Sequence, residues 1–126
     1  SGMKEITAVI RMNMMNRTKS ALTEIGVDAF YAMEAQGRGK GLVDASLLEG
    51  AKSGYEEAAA LLGEKGRTYP KRVLTVVVED DEVDEIVDKL IEVNQTGKPG
   101  DGKIFVMPIP DATRVRTREK GVKAIQ

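Results

Sequence analysis

The first part of the chain changes from an alternating to a helical spacing of apolar positions. Residues 5–11 alternate apolar and polar side chains and are rich in β-branched residues, which predicts a half-buried β-strand. From Asn13, which we expect to cap a helix, the spacing becomes helical as far as Gly26, where we expect the helix to end because glycine adopts positive φ without strain. The predicted inward positions are Ile6, Ala8 and Ile10 in the strand and Met14, Thr18, Ala21, Leu22 and Ile25 in the helix.

Three further segments have the composition of β-strands. Residues 28–36 alternate only weakly, whereas residues 73–78 are a nearly continuous apolar run of the kind found in central strands. Residues 104–109 form the last predicted strand, and Pro108 and Pro110 limit any later pairing to an edge or to local contacts. The chain therefore provides four strands for one sheet.

A second amphipathic helix is predicted between the third and fourth strands. Three carboxylates at residues 80–82 favour a helix N-terminus, and apolar residues recur at a spacing of three and four until Gly97. The order strand-helix-strand occurs twice, which predicts an α+β fold of the ferredoxin-like βαββαβ type, with two helices on one face of an antiparallel sheet. We expect one domain over residues 3–126 and interpret residues 1–2 as a remnant of cloning. The inward positions of the second helix are Val83, Ile86, Val87, Leu90 and Ile91.

The two halves are joined by a long segment without periodicity, residues 37–70. A connection of about thirty residues is unusual in a compact domain and is usually functional or disordered. Residues 55–62 contain enough helix formers for two turns, and charges of both signs are mixed along the segment, which disfavours a simple polyanion-binding arm. We expect a mobile, partly helical excursion, in which Tyr55 is either a modification or docking residue or a cap of the short helix.

Composition excludes several kinds of chemistry. The 126 residues contain no cysteine and no histidine, which excludes thiol nucleophiles, imidazole bases, Cys/His zinc sites and disulfides. A formal net charge of -1 provides no global basic field for nucleic acid. No apolar run approaches the roughly 20 residues that span a bilayer, so we expect a cytoplasmic protein without membrane insertion.

The segment from Gly97 to Lys103 has the outline of a phosphate loop, Gly-x-x-x-x-Gly-Lys. A P-loop has serine or threonine after the lysine to hold magnesium, and it lies between a strand and a helix. Here Ile104 follows the lysine, and the predicted order is helix, loop, strand. The segment therefore does not indicate an NTPase. Asp101 within it could orient Lys103, accept a hydrogen bond from a ribose hydroxyl, or simply close a tight turn.

Two other features can bind anions. Glycines at residues 37–41 let a backbone approach phosphate closely, and Arg114 and Arg116 would form a two-guanidinium clamp if that segment were extended. Singly, each feature is better explained by a turn or a solvated face. Together with the loop, in a chain without a candidate catalytic or metal-ligating side chain, they favour nucleotide binding without chemistry.

These motifs resemble those of the PII nitrogen-regulatory signalling proteins. Residues 96–106, Thr-Gly-Lys-Pro-Gly-Asp-Gly-Lys-Ile-Phe-Val, are close to that family's second signature, and residues 114–117 are close to its continuation. Residues 4–41 resemble the start of the family sequence. The resemblance implies a homotrimer with ATP or ADP bound in clefts between subunits. The excursion then corresponds to the family's T-loop, which contacts target proteins and changes conformation with the bound ligand.

The resemblance also implies roles for individual residues. The phosphates are lined by glycines of both clusters and by Lys103, and Arg114 and Arg116 reach them from the adjacent chain. Lys71 corresponds to the lysine that pairs with a carboxylate of 2-oxoglutarate. The predicted ligand-binding residues are Gly37, Arg38, Gly39, Lys40, Gly41, Lys71, Gly100, Asp101, Gly102, Lys103, Arg114 and Arg116.

Three departures from the family pattern bear on these expectations. Gly41 stands where family members usually have the glutamine that helps to hold Mg²⁺ and 2-oxoglutarate, so Mg²⁺ binding of the usual geometry is in question. Arg118 stands where glycine is usual. The T-loop is about eleven residues longer than in ordinary members, so Tyr55 is only loosely equivalent to the tyrosine that some members have uridylylated.

The Gly-Arg-Gly-Lys cluster, the long T-loop and residues 93–97 resemble a branch encoded in nitrogen-fixation operons of methanogens and some anaerobic bacteria. That branch implies direct binding to dinitrogenase. Together with a sister PII-like protein it inhibits nitrogenase when nitrogen is plentiful, and 2-oxoglutarate with ATP relieves the inhibition. The alternatives are an ordinary PII regulator of an ammonium transporter or glutamine synthetase, and a phosphotransfer enzyme that uses residues 97–103.

Overall fold

The structure is a computed structural model and describes residues 2–27, 29–37 and 69–126. Its strands are β1 (Met3–Arg11), β2 (Tyr31–Gly37), β3 (Tyr69–Glu79) and β4 (Lys103–Ile109). Its two longer helices are α1 (Met15–Glu24) and α2 (Val83–Asn94). Short 3-10 turns cover Met12–Met14, Asp80–Glu82 and Gly121–Ile125.

The described strands form one antiparallel sheet in the order β2-β3-β1-β4. The central position of β3 agrees with its nearly continuous apolar sequence, and β4, which contains Pro108, is an edge strand, a position in which proline is tolerated. Each helix connects an edge strand to a central one, α1 between β1 and β2 and α2 between β3 and β4. The predicted ferredoxin-like βαββαβ fold is confirmed.

The core lies between the sheet and the two helices. The alternation predicted for β1 is confirmed, because Ile6 and Ala8 are 0% exposed and Ile10 is 2% exposed. Full burial of an isoleucine side chain contributes about 1.5–3 kcal/mol relative to leaving it in water. The other buried apolar residues of this cluster are Met15, Leu22, Val27, Leu74, Val76, Val78, Ile86 and Leu90.

The helix starts differ from the predictions. Asn13 does not cap α1, because a 3-10 turn precedes the helix and Met14 occupies the N-cap position without a side-chain hydrogen bond. The carboxylates before α2 do not cap it either. Asp80 instead accepts hydrogen bonds from Lys4 Nζ at 2.6 Å and from the backbone N–H of Gly2 at 3.1 Å. This carboxylate therefore fixes the start of β1 against the end of β3.

The end of α1 agrees with the prediction, whereas the end of α2 does not. Gly26 has φ 89°, and the N–H groups of Gly26 and Val27 donate to the carbonyls of Thr23 and Leu22 at 3.0 and 2.8 Å, a Schellman motif. Helix α2 ends at Asn94, before Gly97.

Asn94 lies buried between the two helices. Its Nδ2 donates to Thr18 Oγ1 at 3.1 Å and to the Leu90 carbonyl at 3.0 Å. The bond to Thr18 joins α2 to α1 and fixes where the loop after α2 begins. Ile91, predicted to point inward, is 43% exposed.

Strand β3 begins at Tyr69, four residues before the predicted start of that strand, and β2 includes Gly37. The predicted bounds of the excursion, residues 37–70, were therefore slightly too wide. Its interior lies outside the described residues. Neither described helix is long and apolar enough to cross a membrane.

The sheet face opposite the helices keeps large apolar side chains exposed. The register places Tyr31, Thr75, Thr7 and Phe105 in one row across all four strands. Tyr31 is 75% exposed and Phe105 is 51% exposed. Met33 and Met107, in neighbouring rows of the same face, are 59% and 48% exposed. Large exposed apolar side chains on one face are typical of surfaces that bind another chain.

Candidate functional site

The loop between α2 and β4 is organised around the carboxylate of Asp101. One oxygen, Oδ2, accepts hydrogen bonds from the backbone N–H groups of Thr96 at 2.8 Å and Gly97 at 2.9 Å. The other, Oδ1, accepts from the Thr96 hydroxyl and forms an ion pair with Arg11 Nη1 at 2.6 Å. Of the roles predicted for Asp101, closing the turn is the one that this geometry supports.

These contacts change the acidity of Asp101. Burial alone would raise the pKa of the carboxyl, but hydrogen bonds from Thr96, Arg11 and Gly97 stabilise the charged form and hold its pKa well below the ordinary value. The carboxylate is therefore ionised at neutral pH. It can accept the hydrogen bonds from Thr96 and Gly97 and hold the ion pair with Arg11 at the same time.

Arg11 was missed by the sequence analysis. Its Nη2 donates to the Pro99 carbonyl at 3.0 Å while Nη1 holds Asp101, so one guanidinium spans the loop. The residue ends β1, and in the antiparallel register it lies opposite Lys71 of β3. That pairing depends on the alignment of two strands that are distant in sequence, so inspection of either strand alone could not reveal it.

Lys71 is 5% exposed and directs its ammonium at the same loop. Its Nζ donates to the Gly100 carbonyl at 2.8 Å. Burial lowers the pKa of Lys71, the charge of Arg11 lowers it further, and Asp101 raises it. Lys71, a predicted ligand-binding residue, therefore lies beside the glycine loop. A ligand bound there could contact both.

The loop requires glycine most strictly at residue 102. Gly102 has φ 110°, and a Cβ at this position would lie 1.9 Å from the carbonyl oxygen of Val9 in β1. Gly97 also has positive φ, 84°, but its Cβ would meet nothing within 4 Å. The backbone of the loop thus approaches β1 closely at Gly102. At Gly97 glycine is favoured only by the positive φ of the turn.

Lys103 follows directly as the first residue of β4 and is exposed opposite Val9. Gly37, the last residue of β2, is placed at the same end of the sheet, since Ala35 pairs with Lys71 and Lys71 with Arg11. One end of each glycine cluster thus lies at this end of the sheet, Gly37 on the edge strand β2 and Gly102 just before the opposite edge strand β4. Tyr55 lies outside the described residues. So does the rest of the first cluster, which consists of Arg38, Gly39, Lys40 and Gly41.

Arg114 and Arg116 are not part of an extended segment, so the condition on which their predicted clamp depended is not met. Residues 115–117 form a turn, in which the N–H of Arg118 donates to the Arg114 carbonyl at 2.8 Å. The Arg114 guanidinium donates to Glu119 Oε1 at 2.9 Å and to the carbonyls of Lys123 and Gln126 at 2.9 and 2.7 Å. Arg114 thus holds the C-terminal segment together, whereas Arg116 is exposed.

Strand β4 separates the start of the C-terminal segment from the loop. Lys103 lies opposite Val9, whereas Ile109 lies opposite Met3 at the other end of β1. At about 3.4 Å per residue, the strand carries the chain roughly 20 Å from the loop. Among the described residues, no group of three or more acidic side chains is placed to hold a metal ion.

The described residues form a small α+β protein of the ferredoxin-like class, with a glycine loop and two cations at one end of the sheet. The crystal structure of Arabidopsis thaliana PII bound to citrate matches with a TM-score of 0.73 at 28% identity, and the match covers 100% of this chain and 92% of that chain. The sequence profile described as Nitrogen regulatory protein P-II matches residues 3–119. The chain belongs to this family.

Individual relatives show which proteins of this family the chain is similar to. The nifHD region GlnB-like protein 2 of Methanobacterium ivanovii, named for nitrogen fixation, is 42% identical over 98% of this chain and 99% of the relative. The protein of the same name from Methanothermobacter marburgensis is 38% identical over 98% of this chain and 100% of the relative. A nitrogen regulatory protein P-II of Bradyrhizobium diazoefficiens is 37% identical, with coverage of 98% and 100%.

The close approach at Gly102 predicts a difference between two glycine substitutions. Gly102→Ala places a methyl group against the Val9 carbonyl and should lower the free energy of unfolding by about 3 kcal/mol or more. Gly97→Ala, the matched control, meets only the unfavourable φ and should lower it by about 1–2 kcal/mol. Urea denaturation measures both, and equal losses would contradict the packing described for Gly102.

The depressed pKa of Asp101 predicts a pH-dependent contribution to stability. Because the folded pKa lies below the unfolded one, the contribution is complete above about pH 5 and is lost as pH falls toward the folded pKa. The stability difference between wild type and Asp101→Asn should therefore shrink between pH 5 and pH 3, as approximate limits. Urea titrations at several pH values measure it, with Asp88→Asn, an exposed carboxylate of α2, as control. A difference that stays constant down to the lower pH would contradict this assignment.

Proposed function

We propose that this protein is a PII-type sensor of nitrogen and energy status, which binds ATP or ADP and 2-oxoglutarate and regulates nitrogenase by direct contact. The observation that carries the proposal is the way in which two cations hold the glycine loop. Arg11 and Lys71 bind the carbonyls of Pro99 and Gly100, respectively. In a planar trans peptide the N–H points away from the carbonyl, so the N–H groups of Gly100 and Asp101 point away from these cations.

Two successive amides with a lysine nearby are suited to polyphosphate. Backbone N–H groups and glycine-rich turns form anion-binding concavities without a side chain in the way. Lys103 then adds one charge at the start of β4. Because the chain has no histidine or cysteine, and because Ile104 replaces the hydroxyl residue that would hold magnesium in a P-loop, this site is suited to holding ATP without efficient cleavage.

The site is completed by a second chain in this proposal. The loop and Lys103 lie at one end of β4, and the chain leaves the other end toward Arg114 and Arg116. A homotrimer would bring this turn of one subunit to the phosphates in the cleft of a neighbouring subunit, where Arg116 is exposed and Arg114 would exchange its bond to Glu119 for one to phosphate. The exposed sheet face that includes Tyr31 and Phe105 offers the surface for such assembly.

The second ligand, 2-oxoglutarate, is assigned to Lys71. A buried lysine at the edge of the glycine loop is suited to a carboxylate, and its position would couple that ligand to the loop through Gly100. Gly41 cannot replace the glutamine that helps to hold Mg²⁺ in the family. Mg²⁺ is therefore the ligand for which the chain offers the least support.

The choice of nitrogenase as the target is supported by the relatives named for the nifHD region. Regulation of dinitrogenase, alone or as a heteromer with a sister PII-like protein, would use the long excursion as the contact element. Nucleotide and 2-oxoglutarate would bind two conformations of that element with different affinity, which is the source of the coupling. The second candidate, an ordinary PII regulator of an ammonium transporter or glutamine synthetase, is favoured by the similarity to the Bradyrhizobium diazoefficiens protein.

Replacement of Lys103 tests the nucleotide site. Loss of one charge-assisted contact in Lys103→Ala should raise the Kd for ATP by about tenfold or more in calorimetry. Lys19→Ala on α1 removes the same charge elsewhere and should leave the Kd within twofold, as a rough limit. Equal affinity in wild type and Lys103→Ala would refute the site. Steady ATP hydrolysis that disappears in Lys103→Ala would instead support a phosphotransfer enzyme.

Affinity capture tests the target. The full chain should retain dinitrogenase from an extract of nitrogen-fixing cells, and ATP with 2-oxoglutarate should release it. A variant with residues 42–68 replaced by a short linker should retain none, because the proposed contact element is missing. Recovery of an ammonium transporter or glutamine synthetase in place of dinitrogenase would refute the nitrogenase assignment in favour of the second candidate.

A further inference from the structure

Arg118 has an unusual backbone conformation. With φ 67°, it is the one residue other than glycine that has positive φ within the described ranges 2–27, 29–37 and 69–126. A long side chain is disfavoured there because its Cβ crowds the following carbonyl, whereas glycine adopts this conformation without strain. Residues held in such a conformation are frequently functional, so Arg118 is a candidate functional residue.

The conformation is imposed by the surrounding turn. The N–H of Arg118 donates to the Arg114 carbonyl, and the N–H of Arg114 donates to the Glu119 carbonyl, both at 2.8 Å. The Glu119 carboxylate also accepts from Arg114 Nη1 at 2.9 Å and from Thr117 Oγ1 at 2.7 Å. The turn therefore fixes the backbone at residue 118 without any contribution from the arginine side chain.

The cations of this turn differ in availability. Arg114 already donates three hydrogen bonds, to Glu119, Lys123 and Gln126. Arg116 and Arg118 are both exposed, and no ion pair of either is found in the described part of the chain. The turn thus presents two guanidinium groups two positions apart, and Arg114 acts as the group that shapes it.

We propose that Arg118 is an additional phosphate-contacting residue, which acts with Arg116 on the polyphosphate of a nucleotide bound at a neighbouring subunit's glycine loop. The inference rests on the proposed function. A planar guanidinium binds phosphate oxygens in a bidentate manner, and two of them match a ligand with several negative charges. Glycine at residue 118 would relieve the backbone strain but would remove this contact.

The proposal predicts opposite changes in stability and affinity. Arg118→Gly should raise the Tm by about 2–5 °C, because the strain is relieved, yet weaken ATP binding by about tenfold. Asparagine tolerates positive φ, so Arg118→Asn should weaken ATP binding by the same factor as Arg118→Gly. Arg118→Lys keeps the charge and should retain most of the wild-type ATP affinity at low salt. Arg17→Asn on α1 removes an exposed arginine elsewhere and is expected to leave ATP affinity within about twofold.

Calorimetry with ATP at low and moderate salt tests the proposal on the purified full chain, with the oligomeric state of each variant checked by light scattering. A higher Tm together with weaker binding in Arg118→Gly supports it. A higher Tm with unchanged affinity shows that Arg118 only strains the turn and overturns this inference alone. A wild-type chain that binds no ATP overturns the nucleotide site of the proposed function and this inference together.

Discussion

The ion pair between Arg11 and Asp101 is the interaction on which the site depends. It connects the end of β1 to a loop that begins more than eighty residues later, with a separation of 90 positions. Asp101 closes the turn through Thr96 and Gly97, and Arg11 extends the same network to the Pro99 carbonyl. Removal of either partner would leave a partly buried charge without its counterion, which is more destabilising than loss of an exposed pair.

The sheet topology determines what this loop can reach. Because β1 is central, Arg11 and Lys71 lie side by side at one end of the sheet, and β4 begins there with Lys103. Strand β4 then carries the chain to the opposite end of the sheet. The glycine loop and the turn that carries Arg116 thus follow opposite ends of one strand, and in the proposed function the two meet only when several chains assemble.

Sequence patterns predicted the fold well because the fold depends on burial. Ile6, Ala8 and Ile10 alternate as a strand with one buried face must, and Gly26 ends α1 as predicted. The site was predicted only in part. The glycine loop and Lys71 were recognised, but the role of Arg11 depends on register across the sheet.

The clamp of Arg114 and Arg116 was predicted only for an extended segment. Glu119 instead binds Arg114, and the segment forms a turn. Local spacing cannot show such a competition between a side-chain ion pair and an extended backbone.

A crystal structure of the protein with ATP and 2-oxoglutarate would show whether the glycine loop binds the phosphates. We expect the phosphates of ATP against the N–H groups of Gly100 and Asp101 and against Lys103 of one subunit, with guanidinium groups supplied by a neighbouring subunit. We also expect the Arg11–Asp101 ion pair to be retained. Nucleotide bound away from the glycine loop, or a site completed within one chain, would contradict the account.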